Sequence, residues 1–234
     1  EGVIKGKSEL YEYLSSNHKT AFINSDDAIQ NEKTTNINRI TFGFNNPENF
    51  VNITKIETNP MVKIEFEDTT IQSHLIGLYN ANNINAAITI GKHFGVSNEK
   101  IKFGLENYIP NNNRSQLLEK NSNKIILDAY NANPSSMNAA LTNFFQLEEK
   151  NKVAILGDMF ELGIESSDEH KKLIEFCFHN ENIIFYFIGK DFYTNKINQP
   201  NFKFYQTFDD LSSHLQKTIF KNKMILIKGS RGMA

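Results

Sequence analysis

Apolar and polar residues follow two rhythms along this chain, and the change between them divides it. In the first part short alternating runs dominate. Residues 39–44 and 61–66 alternate as half-buried strands do, 21–23 form a further short strand and 74–77 end another. Helices are predicted at 8–14, at 83–94 and at 98–108. In the second of these Ile84, Ala87, Ile88 and Gly91 share one face, and Asn80 is placed to cap its start. Asp68 and the acidic residues near it read as a loop.

Pro110 and the three asparagines after it interrupt the periodicity and read as a linker, giving domains 1–109 and 110–234. Beyond the linker, strands predicted at 125–127, 153–156, 183–188 and 224–227 alternate with helices. The first helix starts with Asn133 as cap and Pro134 at its first position, with Met137, Ala140, Leu141 and Phe144 on one face. The second, running to His179, opens on a Ser166/Glu169 capping-box pattern. The third spans 209–220. This alternation predicts an α/β fold with a parallel sheet covered on both faces.

Composition narrows the classes. Hydrophobic residues make up 39% of 234 residues, enough for a real core, and the formal net charge is -2. That balance argues against nucleic-acid binding through bulk phosphate attraction. The apolar run at 183–188 is too short to cross a bilayer. One cysteine, Cys177, excludes an internal disulfide, and no zinc spacing exists; a reducing compartment fits. The start, Glu1-Gly2-Val3-Ile4-Lys5, has neither an initiator Met nor a signal-peptide core, and the end stops just after a strand-like run. Both ends read as cuts through a longer protein.

Open parallel sheets bind ligands at the carboxyl ends of their strands. Here those ends carry Asp128, Gly157-Asp158, Gly189-Lys190 and Lys228-Gly229-Ser230-Arg231. Asp128 can accept from ribose hydroxyls, with a turn or cap as the ordinary alternative. Arg114, in the linker, has the planar fork that clamps phosphate, against a solvated hinge charge. Asn80 and Asn83 lie one helical turn apart, and their amides match an adenine edge; capping and a surface position are the plain alternatives. Asn131 sits on a loop where asparagine is also an ordinary turn former. Lys228, Ser230 and Arg231 around a glycine suit an anion. Lys7, on the first helix, has no residue-level reason to be more than solvated. His170 and His179 are expected on a helix surface, and no histidine shows ligand spacing with carboxylates. The many phenylalanines are expected in the core. Gly91-Lys92 and Gly189-Lys190 are not phosphate loops, and no Gly-x-Gly-x-x-Gly follows a strand.

Four segments together resemble the Mur ligases, in particular the branch that adds D-alanyl-D-alanine. They are the glycine and paired asparagines of 75–87, Leu127-Asp128-Ala129-Tyr130-Asn131-Ala132-Asn133-Pro134 with Ser136-Met137, Leu156-Gly157-Asp158-Met159-Phe160-Glu161-Leu162-Gly163 followed by His170, and Lys228-Gly229-Ser230-Arg231. The resemblance implies the C-terminal part of a P-loop-type ATPase domain followed by a Rossmann-like parallel-sheet domain. It implies ATP and Mg²⁺ as cofactors, UDP-N-acetylmuramoyl-tripeptide and D-Ala-D-Ala as substrates, an acyl-phosphate intermediate, no nucleic acid, a monomer and a cytoplasmic enzyme of peptidoglycan synthesis. Lys7 falls where the family carbamylates a lysine that helps hold Mg²⁺. Asn80 and Asn83 would line the adenine site, Arg114 the phosphates and Asp128 the ribose. Asn131, Lys228, Ser230 and Arg231 would lie near the substrate or phosphates. Tyr79 stands where many relatives have histidine. The family's phosphate loop is expected upstream of Glu1, so the chain alone is expected to be inactive. The rival readings are a sister ligase or folylpolyglutamate synthase, and a noncatalytic nucleotide-binding module.

Overall fold

The computed structural model describes residues 2–233, which divide into two compact units, Glu1–Tyr108 and Ile109–Ala234. The first unit opens with α1 (Gly2–Ser16), β1 (Thr20–Asn24) and α2 (Ala28–Lys33). Asp27 caps α2 through the N–H groups of Ile29 and Gln30. Strands β2 (Asn38–Phe44), β3 (Val51–Thr58), β4 (Met61–Phe66) and β5 (Thr69–Ile76) join β1 in a five-stranded sheet in chain order. β1, β2 and β3 run parallel, and β4 and β5 turn back antiparallel. Helices α3 (Ala81–His93) and α4 (Asn98–Glu106) follow. Ile84 and Ile88 of α3 and Ile101 of α4 share one core with Phe42, Val51, Ile64 and Phe66 of the strands.

The pattern of apolar positions did not predict β3. Val51 and Ile53 keep the alternation, but the ladder shifts register between Ile53 and Lys55, and the apolar series resumes at Ile56. Such a bulge reverses which parity faces the core and hides a strand from a period-two reading. Helix α1 extends well beyond the expected 8–14, while α4 stops at Glu106 rather than at residue 108.

The second unit contains β6 (Gln116–Lys120), β7 (Asn123–Asp128), α5 (Pro134–Gln146), β8 (Lys152–Gly157), α6 (Ser166–Cys177), β9 (Ile183–Ile188), α7 (Lys190–Thr194), β10 (Phe202–Tyr205), α8 (Phe208–Leu215) and β11 (Met224–Lys228). Its six-stranded sheet has the order β10-β9-β8-β11-β7-β6. Every neighbouring pair is parallel except β6 with β7. The short edge strands β6 and β10 were not predicted, because neither offers enough alternating positions. On one face Val153, Ile155, Tyr186, Ile188 and Ile225 meet Leu211 of α8. On the other, Phe185 meets Phe145 of α5, and Phe187 meets Phe192 of α7. The sheet is therefore covered on both faces; Phe66, Phe144, Phe185, Phe187 and Phe192 are core residues, but others, such as Phe94 and Phe103, are exposed, contrary to the expectation that the phenylalanines fill the core.

Helix α5 forms as its sequence dictates. The Asn133 side chain accepts the Ser136 N–H, the Ser136 hydroxyl accepts the Asn133 N–H, and Pro134 occupies the first turn. Met137, Ala140, Leu141 and Phe144 are all buried. Each large side chain among them contributes about 1.5–3 kcal/mol. Two expected termini move: α6 ends at Cys177 rather than His179, and α8 ends at Leu215 rather than at residue 220.

Cys177 lies fully buried on α6, and burial pushes its thiol far above the ordinary range. Native protein is expected to resist a disulfide-exchange reagent and to react with one equivalent on unfolding. Rapid labelling of native Cys177 would contradict this packing.

Candidate functional site

Parallel pairing brings the carboxyl ends of four strands into line. Lys228 is in register with both Asp128 and Leu156, and Gly157 with Ile188. The tips of β8 and β11 approach so closely that a Cβ on Gly229 would lie 3.0 Å from the Gly157 Cα. Glycine at both positions allows that contact, which carries the Lys228-Gly229-Ser230-Arg231 segment across the sheet edge.

Asp128, the last residue of β7, is the hub of this edge. Its Oδ2 accepts from Lys228 Nζ at 2.6 Å, and the two side chains are 13% and 3% exposed. The same ammonium reaches the Asn131 carbonyl at 3.3 Å. Its other oxygen, Oδ1, accepts the Ser115 N–H at 3.1 Å. Ser115 is buried at φ 51°, and Asn113 has φ 57°. Left-handed backbone in non-glycine residues costs on the order of 1 kcal/mol each, so it persists where surrounding bonds impose it. Arg114 is held between these two residues. Removing one partner of a buried pair such as Asp128–Lys228 typically costs about 3–5 kcal/mol.

Tyr130 follows two residues after the hub and is 40% exposed. The Arg114 guanidinium stacks over its ring at 3.8 Å, and that of Arg231 approaches the same ring at 5.7 Å. Two arginines thus share one ring near the Asp128–Lys228 pair, and both are exposed. Ser230 is buried; its hydroxyl accepts the Phe160 N–H at 2.8 Å and lies 3.5 Å from the Ala132 carbonyl. Asn131 is exposed, with its Oδ1 accepting the Ala132 N–H. The structure therefore gathers Arg114, Asp128, Asn131, Lys228, Ser230 and Arg231. Within that group the bonds of Lys228 and Ser230 point inward, while Arg114 and Arg231 are open.

In the first unit Gly77, at φ 87°, bends the chain out of β5, and the Tyr79 ring lies where a Cβ would project. Asn80 occupies the position before α3 without capping it. Its Nδ2 donates instead to the Ile76 carbonyl at 2.8 Å, and its Oδ1 accepts from Asn83 Nδ2 at 3.1 Å. The expected cap is replaced because Asn80 itself has helical dihedrals and cannot fold its side chain back. Asn80 and Asn83 are thus brought together, with Asn83 exposed. Lys7 lies exposed on α1.

Three further expectations need correction. His170 is not on a helix surface but is 0% exposed. Its Nε2 accepts the Met159 N–H at 3.0 Å, and Nδ1 faces the Ser166 carbonyl at 2.7 Å, which places the ring proton on Nδ1. Ser166 forms no capping box either; its hydroxyl donates to Asp191 Oδ2 at 2.7 Å, and Glu169 pairs with Lys172. The reason is shared: a tertiary network claims both side chains. Asp158 completes it by accepting the Asp191 and Phe192 N–H groups at 3.0 Å. Gly189, at φ 123°, leaves room for that carboxylate, since a Cβ there would fall 2.2 Å from Asp158 Cγ. Asp158, His170 and Asp191 bring ligand-type atoms within 4.8 Å of one another, contrary to the expectation that no histidine pairs with carboxylates. Those atoms already accept hydrogen bonds, so the set is a closed structural network rather than a cation site. Met159 follows Asp158 directly, so the network sets the course of the loop toward Ser230.

Family membership follows from two matches. Residues 113–231 match the family model described as Mur ligase, glutamate ligase domain, and residues 1–91 match the Mur ligase middle domain. The chain belongs to the Mur ligase family. It is similar to the UDP-N-acetylmuramoyl-tripeptide–D-alanyl-D-alanine ligases of Rickettsia prowazekii (28% identical over 100% of this chain and 55% of that protein) and Bacillus subtilis (27%, 100% and 53%). A crystal structure of MurF from Acinetobacter baumannii superposes with a TM-score of 0.82 at 25% identity, covering 99% of this chain and 53% of that one. This Mur ligase chain thus spans about half the length of the curated relatives it matches. Among its described residues no helix is long and apolar enough to cross a membrane.

Burial holds the Asp158 carboxyl above its ordinary value of 3.8, against the Asp191 and Phe192 N–H groups and His170, which pull it down; neighbouring Asp191 pushes it up. A raised acid stays protonated in the folded Mur ligase after the unfolded chain has lost its proton. Its stabilising contribution is therefore complete below 3.8 and is lost as pH rises through the folded value. In urea unfolding, the stability difference between wild type and Asp158→Asn is expected to shift against the wild type across that window. A difference independent of pH would contradict this.

Proposed function

We propose that the full-length protein is an ATP-dependent amide-bond ligase that joins D-Ala-D-Ala to a UDP-N-acetylmuramoyl-tripeptide in the cytoplasm. Similarity to ligases of that name over the whole chain supports the substrate class. The observation that carries the chemistry is the sheet edge, where Arg114 stacks on Tyr130 and Arg231 approaches the same ring near the Asp128–Lys228 pair. Two exposed guanidiniums with no acidic partner among the described residues suit a polyphosphate, so the residues present fit ATP.

A carboxylate is a poor electrophile because its oxygen is a poor leaving group. In the proposed reaction the tripeptide carboxylate attacks the γ-phosphorus of ATP, the bond to the bridging oxygen breaks, and ADP departs. The dipeptide amine then attacks the acyl phosphate, loses a proton, and expels inorganic phosphate as the amide forms. Arg114 and Arg231 would offset charge on the phosphoryl oxygens. Asp128, with lone pairs beyond those bonded to Ser115 and Lys228, would accept from the ribose. Asn83, oriented by Asn80, would meet the adenine edge. Asn131, Lys228 and Ser230 would shape the floor beneath the phosphates. Mg²⁺ would neutralise phosphate charge when bound. Among the described residues no carboxylate cluster surrounds Lys7, which as a carbamate is this chain's proposed contribution to holding it. The protein is proposed to act as a monomer.

The chain contains no Gly-x-x-x-x-Gly-Lys-Ser/Thr phosphate loop, so we propose that alone it does not turn over ATP. Phosphate release by the full-length protein is expected to require both the tripeptide precursor and D-Ala-D-Ala, with none from the chain alone. Release that responds to a diamino acid or to glutamate, and not to D-Ala-D-Ala, would assign a sister ligase instead.

A further inference from the structure

The Arg114–Tyr130–Arg231 stack has a property that its residue types alone do not give. Among the described residues, neither guanidinium has a hydrogen-bond or ion-pair partner within the chain; Arg114 lies 3.8 Å and Arg231 5.7 Å from the centre of the Tyr130 ring. A guanidinium stacked on an aromatic ring is held through its flat face, which leaves its N–H donors in the plane and open to a ligand. A free arginine loses rotamer entropy when it binds a ligand. Here the ring has already reduced that loss.

The surroundings make this arrangement more than incidental packing. Arg114 is bracketed by left-handed residues, Asn113 and Ser115, and Ser115 is tied to Asp128. Arg231 follows a segment fixed by the Lys228 ammonium and the buried Ser230 hydroxyl. Two rigid backbone segments from opposite ends of the unit thus deliver like charges to one ring. The charges repel each other, and the Asp128 carboxylate is already engaged by Lys228 and Ser115 rather than by either arginine. Such an arrangement gains from an anion placed between the two forks.

We propose that Tyr130 is a positioning residue: its ring orders Arg114 and Arg231 into a single grip for a phosphate-bearing ligand. The inference rests on the ligase reading for the identity of that ligand, ATP, but the grip itself is testable without it.

Three measurements separate the possibilities. In NMR spectra of the full chain, the Arg114 side-chain protons are expected upfield from ring current in wild type and Tyr130→Phe, and at ordinary shifts in Tyr130→Leu. Inorganic triphosphate titrated into the same samples is expected to bind about tenfold more weakly to Tyr130→Leu, and within about twofold of wild type to Tyr130→Phe. In the full-length protein, Tyr130→Leu is expected to raise KM for MgATP about tenfold with a smaller change in kcat, again with rescue by phenylalanine. Equal triphosphate affinity in wild type and Tyr130→Leu overturns the proposal, whatever the enzyme's substrate. Full-length protein inactive with D-Ala-D-Ala, but with triphosphate binding that follows the ring, overturns the ligase reading and leaves the grip standing. A fall in kcat with unchanged KM also overturns it, because the ring would then act on something other than nucleotide binding.

Discussion

One carboxylate organises the sheet edge on which the functional reading depends. Asp128 is bonded through one oxygen to the Ser115 N–H and through the other to Lys228. The first bond fixes a left-handed turn that presents Arg114, and the second fixes the strand tip that leads to Arg231. Residues distant in sequence converge on Tyr130 because both segments answer to the same side chain. Taking away the carboxylate would leave a buried ammonium unpaired and release the strained turn, so the geometry and the stability of this edge rise and fall together.

A second, independent network shapes the neighbouring loop. Asp158 seals the start of α7, His170 holds the Met159 N–H, and the Phe160 N–H reaches Ser230. Every donor and acceptor in this chain of bonds has a partner, which is what a buried polar network requires if it is to add order rather than cost. It couples the β8 tip to the β11 tip, so the loop and the Lys228–Arg231 segment keep one relationship. The Mur ligase signature around Gly157 and His170 acquires a physical meaning here: the histidine is a brace, and the glycines make room for close backbone contacts.

Much of the second unit was legible in the sequence. Four of its five parallel strands, the α5 cap at Asn133 and the buried face of α5 follow directly from local chemistry and periodicity. The polar ends of those strands correctly marked where Asp128 and Lys228 gather. What escaped were features set by tertiary contact. The bulge in β3 broke its alternation, and the two edge strands of the second sheet were too short to register. His170 lies on the buried face of α6 with Leu173, Ile174 and Cys177, but in a polar first turn it looked like a surface histidine, and the loop carrying Met159 gives it its partner. Asn80 has the right identity for a cap, but its own helical dihedrals turn its amide toward Ile76. Ser115 carries no local signal at all; the Asp128 carboxylate that accepts its N–H lies 13 residues further along the chain. Tyr130 was visible as part of a motif, yet nothing in the sequence showed that two arginines would share its ring.

Amide hydrogen exchange at Ser115 tests the central claim most directly. Ser115 lies outside the β6 ladder, and its N–H donates to the Asp128 carboxylate. Exchange slowed to the range of the β7 amides, with the neighbouring Asn113 amide exchanging fast, is the expected result. A Ser115 amide that exchanges as freely as Asn113 would mean that the carboxylate does not hold the turn, and that Arg114 is not positioned by Asp128.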